Sequence, residues 1–118
     1  MALELARSGA NIAGVVGFHC GLSTVAPQDA KTIKGKVSVH IGADDPSIPL
    51  EQRIMFEREM RAGKVDWQMD VYGGVVHSFT DPDADKAGRP EQRRYDAKAD
   101  ARSWREMRIL LEEIFGHK

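Results

Sequence analysis

Two acidic residues and a histidine follow two apolar segments of the chain, at the point where each segment ends. Asp44 and Asp45 come directly after Lys36 to Ile41, and His77 follows Val65 to Tyr72 in the stretch Gly-Gly-Val-Val-His-Ser-Phe. In an open parallel sheet, functional groups collect beyond the carboxyl ends of the strands. An acid there can orient a histidine, and a histidine after flexible glycines can swing into a cleft as a general base. These residue types predict an acid–base pair.

Each of these residues, taken alone, also fits a simpler interpretation. Aspartate is favoured in polar turns, and a loop histidine can be bonded only to backbone. The order is more informative, because an acid after one strand and a histidine after the next is the order in the second half of an α/β-hydrolase triad. This order favours a shared catalytic role for the acidic pair and His77.

The single cysteine, Cys20, is a candidate nucleophile. It follows the first apolar segment of the chain, and neighbouring strands lie about 4.8 Å apart, so its thiol could approach the imidazole of His77. A thiol paired with an imidazole is a competent nucleophile. The sequence shows no tight turn to present the thiol and no oxyanion hole facing it, so an inert, half-buried residue is the alternative interpretation.

The sequence predicts no metal site and no cofactor. The other histidines lack the i, i+4 spacing or the carboxylate clusters of metal ligands: His19, His40 and His117. The alternating acids from Asp81 to Asp85 lack the glycine and the closing glutamate of a calcium loop. A solvated loop is the expectation for this run.

Strands and helices alternate along the chain. The apolar spacing predicts helices over Met1 to Ser8, Leu50 to Arg61 and about Asp96 to Phe115. It predicts strands over Ile12 to Phe18, Lys36 to Ile41 and Val65 to Tyr72, the last with Val65, Trp67, Met69 and Val71 on one half-buried face. Residues 21–35 form a loop with room for one helical turn. This alternation predicts an α/β fold with about three parallel strands flanked by helices.

Composition limits the class of protein. The chain has 118 residues, which suits one domain over residues 1–118. It has 17 basic and 18 acidic side chains, so no basic excess is present to bind a nucleic acid. The longest nearly apolar run, Ile12 to Cys20, is too short to cross a membrane, and the first ten residues lack the apolar core of a signal peptide. With one cysteine there is no internal disulfide, and a cytoplasmic location is the prediction.

Three stretches of the chain resemble the C-terminal half of the dienelactone hydrolase family: GVVGFHCGLST, GKVSVHIGADDPSIP and VDWQMDVYGGVVHSFTDPDAD. The resemblance implies an α/β-hydrolase fold and cleavage of lactones or esters through a cysteine or serine, a histidine and an aspartate. The acid of the family stands in a G-x-x-D-x-x-V/I-P pattern, which matches Gly42 to Pro49 and places that role on Asp45. The histidine of the family matches His77, which precedes Ser78 and Phe79, although Val76 replaces the usual small residue before it.

The nucleophile of that family is missing from its expected pattern. The family carries it on a G-x-C-x-G or G-x-S-x-G turn, and no such string occurs here. Gly21-Leu22-Ser23 lacks the closing glycine, and Cys20 stands one position late in Gly17 to Gly21. The predicted helix Met1 to Ser8 resembles the helix that follows this turn, so we expect the nucleophile to lie upstream of Met1. The chain is expected to be a partial α/β-hydrolase domain that lacks the nucleophile half.

Two functions from different classes stay open. The first is a lactone or ester hydrolase that uses Asp45, His77 and either Cys20 or a nucleophile from another chain. The second is a non-catalytic fold remnant that acts as a dimeric assembly or interaction domain. The apolar strand Ile12 to Phe18 would lose its neighbour in a half-domain, which predicts a two-fold homodimer, through antiparallel strand pairing or through helix packing. A small ester or lactone is the expected substrate, with no nucleic-acid or membrane partner.

Overall fold

Three strands form one parallel sheet in the order β1-β2-β3, with β2 in the middle. The computed structural model describes residues 2–24 and 26–116. Within them β1 is Gly14–Phe18, β2 is Lys36–Gly42 and β3 is Trp67–Tyr72. The register places Gly17, Val39 and Met69 side by side across the sheet. The predicted α/β fold with three parallel strands is confirmed.

Helices connect and flank these strands. The α-helices and two short 3-10 helices have these bounds: α1 Ala2–Arg7, α2 Leu50–Ala62, α3 Ala97–Phe115, and the 3-10 segments Pro27–Thr32 and Ala84–Ala87. Asp96 caps α3, because its side chain accepts a hydrogen bond from the backbone N–H of Ala99. All three predicted helices are present, and the predicted helical turn is Pro27–Thr32. Met1, the predicted start of the first helix, and His117 lie outside the described residues.

Two strands begin later than predicted because local hydrogen bonds compete with the ladder. The backbone N–H of Val65 donates to the carbonyl of Met60, which closes the end of α2, and β3 then starts at Trp67. Lys64, which lies between the end of α2 and the start of β3, has a left-handed φ of 56°. At β1, the N–H of Ile12 donates to Ala10 in a tight turn, and the strand starts at Gly14. A period-2 pattern does not detect such local bonds.

The main core lies between one face of the sheet and the helices α1 and α2. Its fully buried members on β2 are Val37, Val39 and Ile41. The helices contribute buried side chains to the same cluster: Leu3, Ala6, Phe56 and Met60. Burial of these groups removes apolar area from water, at about 25 cal/mol per Å². The central strand is therefore fixed, and its carboxyl end is a rigid platform.

The other face of the sheet is covered by α3 and is more polar. The His40 ring stacks between Phe18 and Tyr72, and Phe18 also stacks on Trp104 of α3. The helix buries only Ala99 and Ser103 fully. Several large apolar side chains stay exposed on it: Trp104, Ile109, Leu111 and Phe115. A three-stranded sheet is narrow, so it leaves part of the apolar surface of a 19-residue helix uncovered.

The half-buried face predicted for the third strand is correct in part. Val65, Trp67 and Met69 pack against the main core, whereas Val71 is 40% exposed. Val71 is the next-to-last residue of β3.

None of the helices in the described part of the chain is long and apolar enough to cross a membrane.

Candidate active site

The turn after β2 that carries Asp44 and Asp45 (the acidic turn) and the loop after β3 that carries His77 (the histidine loop) are joined by backbone hydrogen bonds. The N–H of Ala43 donates to the carbonyl of Tyr72, and the N–H of Asp44 donates to the carbonyl of Val75. Gly42 makes this approach possible, because a Cβ there would meet the backbone of Val75. The two loops therefore cross directly above the carboxyl end of β2.

Asp45 and His77 form a hydrogen-bonded pair at this crossing. The Nδ1 atom of His77 lies 2.8 Å from Oδ2 of Asp45. The other carboxylate oxygen, Oδ1, accepts a 2.8 Å hydrogen bond from the backbone N–H of Ser47. The Asp45 side chain is fully buried, whereas that of His77 is 29% exposed. The predicted closeness of these two residues is confirmed, while Asp44, the other acid of the turn, is exposed.

This geometry fixes what the imidazole can do chemically. With a carboxylate accepting at Nδ1, the neutral ring carries its proton on Nδ1 and presents Nε2 as a base. If Nε2 takes up a proton, the buried carboxylate stabilises the imidazolium. The pair therefore has the parts of a general base that can later act as a general acid.

The loop that carries His77 is clamped on both sides of its backbone. The N–H of His77 donates to the carbonyl of Gln92, and its carbonyl accepts from the N–H of Arg94. The next residue, Ser78, has a left-handed φ of 61°, and its hydroxyl accepts a hydrogen bond from Arg93. These contacts hold the backbone of the loop and so fix the point from which the His77 side chain extends toward Asp45.

His19 is a part of this site that the sequence reasoning did not select. Its ring meets the His77 ring edge-on, with centroids 5.3 Å apart, and meets Phe79 at 5.2 Å. Its Nε2 atom lies 2.9 Å from the hydroxyl of Thr80. A signal was present, because His19 directly follows β1, as Asp45 and His77 follow the other two strands. The rule on carboxyl ends, applied to all three strands, would have found it.

Cys20 lies on the core side of the same turn. Its sulfur stands beside Gly17, where an added Cβ would meet it, and the residue packs against the cluster between the sheet and the helices. Burial raises the pKa of the Cys20 thiol, which disfavours the reactive thiolate. The structure thus brings Asp45 and His77 together and places Cys20 in a core environment.

No group of three or more histidine, cysteine, aspartate or glutamate side chains among the described residues is arranged to hold a metal ion.

Comparisons with known proteins agree with this architecture. The profile of the Dienelactone hydrolase family matches residues 1–115. Among solved structures, a dienelactone hydrolase-like promiscuous phosphotriesterase from metagenomic libraries is 45% identical with a TM-score of 0.86, over 95% of this chain and 46% of its own. A structure named m3DLH is also 45% identical, with a TM-score of 0.88, over 96% of this chain and 47% of its own.

A curated relative, an uncharacterized protein of Caenorhabditis elegans, is 33% identical over 106 residues, which is 88% of this chain and 66% of that protein. The chain therefore spans about half the length of the solved structures and just under two thirds of this relative. The three parallel strands and flanking helices correspond to that share of the α/β-hydrolase fold. With a family profile that matches residues 1–115, the chain belongs to the dienelactone hydrolase family.

Proposed function

We propose that this chain carries the acid–base half of an active site that hydrolyses lactones or esters. In this proposal Asp45 is the orienting acid and His77 is the general base. The observation that carries the proposal is the 2.8 Å contact between the Nδ1 atom of His77 and the buried carboxylate of Asp45. In a simple polar turn the carboxylate would stay in water, because burying a carboxylate is costly unless a partner compensates its charge. The buried Asp45 carboxylate, paired with His77, therefore favours a functional role over a simple turn.

The reaction would proceed in two stages. Nε2 of His77 removes the proton of a nucleophile as that group attacks the carbonyl carbon of the substrate, and Asp45 stabilises the imidazolium that forms. The same proton passes to the departing alkoxide, which leaves an acyl-enzyme. Water then attacks the acyl group with His77 again as the base, and the proton returns to the nucleophile.

The attacking group is proposed to lie outside residues 2–116. The open edge of β1 is where a further strand of the fold would pair, and the family resemblance puts the nucleophile on such a neighbouring strand. That strand could precede Met1 in a longer polypeptide or belong to another chain. Cys20 is the alternative nucleophile within the chain, but its buried position and raised pKa make it the weaker candidate.

A chimera tests this proposal. The C-terminal half of the metagenomic dienelactone hydrolase-like protein, which is 45% identical, is replaced by this chain. Hydrolysis of a p-nitrophenyl ester, a lactone and a phosphotriester is then measured. We expect ester or lactone turnover that falls about 10³- to 10⁴-fold in Asp45→Asn and in His77→Gln. The exposed neighbour provides a matched control, since Asp44→Asn should change the rate by no more than a few fold.

Two results would contradict the proposal. One is a folded chimera without any hydrolysis, when the parent protein is active in the same assay. The other is an Asp45→Asn chimera as active as the Asp44→Asn chimera.

A second candidate function is a non-catalytic assembly domain that forms a two-fold homodimer. The observations in its favour are the open edge of β1 and the exposed side chains of Trp104 and Phe115 on α3. Light scattering of the purified chain at micromolar concentration separates the two. A dimer with no hydrolysis in the chimera supports the assembly domain, whereas a monomer excludes it.

A further inference from the structure

The backbone of His19 changes direction abruptly at the end of β1. Its N–H still donates to the carbonyl of His40, at 2.8 Å, so the residue continues the ladder between β1 and β2. Its φ of 41° is left-handed, a conformation that is uncommon outside glycine, although histidine, asparagine and aspartate adopt it more often than other residues. Such backbone cost is tolerated where the surrounding structure holds the residue, and it is concentrated at functional sites. The turn sends the ring of His19 toward the histidine loop, whereas the next residue, Cys20, faces the core.

Three side chains of the histidine loop contact the ring of His19. The edge of His19 meets the imidazole of His77 at 5.3 Å between centroids and an angle of 69°. Phe79 supports it at 5.2 Å and 80°. The hydroxyl of Thr80 bonds to its Nε2 atom at 2.9 Å. The ring of His19 is thus held at two places and touches His77 at a third.

The His77 imidazole needs such a neighbour. Asp45 restrains it only through Nδ1, and a ring held at a single atom can still rotate about its side-chain bonds. The other ring nitrogen, Nε2, must point at the nucleophile with little freedom, since small errors of placement reduce the rate strongly. A flat ring packed against the imidazole removes this freedom.

We propose that His19 is a positioning residue that holds the imidazole of His77 on Asp45, and that Thr80 fixes the ring of His19 for this task. The inference deepens the proposed function and rests on it, because it concerns the orientation of the proposed base. His19 itself does not exchange a proton with the substrate in this scheme.

The electrostatics of His19 suit this role. Burial and the neighbouring His77 lower the pKa of His19, while the carboxylates of Asp45 and Asp81 act in the opposite direction. The ring of His19 therefore stays uncharged near neutral pH. When His77 takes up a proton during the reaction, it faces a neutral ring, whereas a second imidazolium would repel it.

Nuclear magnetic resonance of the ¹⁵N-labelled chain tests the inference without any hydrolysis assay. The ring ¹⁵N shifts of His77 report which nitrogen carries the proton, at a pH where the ring is neutral. In the wild-type chain we expect the single tautomer with the proton on Nδ1. In Thr80→Val and in His19→Asn we expect a mixture of both tautomers and loss of the Nδ1 proton signal. Asparagine tolerates a left-handed φ, so His19→Asn removes the ring without adding backbone cost.

The matched control is Thr32→Val, which makes the same substitution before the amino end of β2. This variant loses the Thr32 hydroxyl, whose single proton is shared between the carbonyls of Arg7 and Asp29, each 2.8 Å away, and His77 should keep its wild-type shifts. Unchanged His77 shifts in a folded Thr80→Val chain would overturn the inference. If His19→Asn does not fold, Thr80→Val alone still tests the inference, because valine has nearly the same side-chain volume as threonine. An inactive chimera with an intact tautomer effect would reject the proposed function and leave His19 as the residue that orients His77.

Discussion

The guanidinium of Arg7 and the carboxylate of Glu59 form a doubly hydrogen-bonded ion pair that is buried between α1 and α2. Nε and Nη2 of Arg7 lie 2.6 Å from the two carboxylate oxygens, and the side chains are only 2% and 3% exposed. Nη2 also donates to the carbonyl of Leu22, in the segment that follows β1. This pair ties the first helix and the segment after β1 to the long helix α2.

Breaking this ion pair should destabilise the fold strongly. In Glu59→Gln the guanidinium of Arg7 stays buried and keeps only the exposed carboxylate of Glu4, 2.7 Å from Nη1, as its counter-charge. We therefore expect a loss of about 3 kcal/mol in the free energy of unfolding, the lower end of the range for a broken buried pair. Urea denaturation followed by circular dichroism measures it. Arg61→Met is the control on the same helix, because its pair with Glu57 is long and exposed, and we expect a change of about 0.5 kcal/mol or less. Equal stability of the two variants would show that the buried pair has no such role.

Acid should weaken the fold through His40. This ring is fully buried, with Nε2 3.1 Å from the hydroxyl of Ser38 and Nδ1 3.0 Å from that of Tyr72. Burial lowers the pKa of His40 below its ordinary value of 6.5, although the charges of Asp70 and Glu106 raise it. A histidine with a lowered pKa in the folded state contributes stability above its unfolded pKa, and that stability is lost as the pH falls through the folded pKa.

The measurement is the free energy of unfolding at about pH 8 and about pH 5. We expect the wild-type chain to lose more stability between these values than His40→Phe, which keeps a ring between Phe18 and Tyr72 but cannot take up a proton. A remaining loss in the variant is expected, because the pKa of His19 is lowered too. The same acid sensitivity in both proteins would contradict the assignment to His40.

The thiol of Cys20 should react slowly. Its raised pKa and its contact with the core predict modification by a chromogenic disulfide at least about tenfold slower in the folded chain than in the unfolded chain. In the chimera, Cys20→Ala should leave ester hydrolysis within a few fold of the parent rate. Fast labelling of the folded chain together with loss of hydrolysis in Cys20→Ala would instead make Cys20 the nucleophile.

The open edge of β1 offers a test of the proposed homodimer. Ala13 accepts from Lys36 and His19 donates to His40, so the odd-numbered residues of this segment face β2 and the N–H of Val16 faces the open edge. Val16→Pro removes that donor without touching the ladder to β2. If two copies pair through this edge, light scattering should give a dimer for the wild-type chain and for Val16→Thr, and a monomer for Val16→Pro.

The other dimer geometry uses the exposed side chains of α3. It would leave Val16→Pro dimeric and respond instead to Phe115→Ser, because the Phe115 side chain is 73% exposed in the single chain. A wild-type monomer at micromolar concentration would exclude both geometries.

The sequence by itself determined the elements and their class. Apolar alternation and spacing were enough for three strands and three helices, because burial of one face imposes a period of 2 or 3.6 on the chain. The same reasoning located Asp45 and His77, since a residue that directly follows a parallel strand reaches the carboxyl edge of the sheet whatever else the chain does. Their pairing at 2.8 Å follows from the adjacency of β2 and β3.

The tertiary structure decided where the remaining side chains point. Cys20 and His19 are adjacent in the chain, and the left-handed φ of His19 sends one ring to the site and the following thiol to the core. The start of β3 was likewise decided by a single hydrogen bond from Val65 to the end of α2. Neither outcome has a periodic signature. The bond from Val65 to Met60 depends on how the end of α2 closes, and the direction of the His19 ring depends on the histidine loop that it meets once the strands have paired.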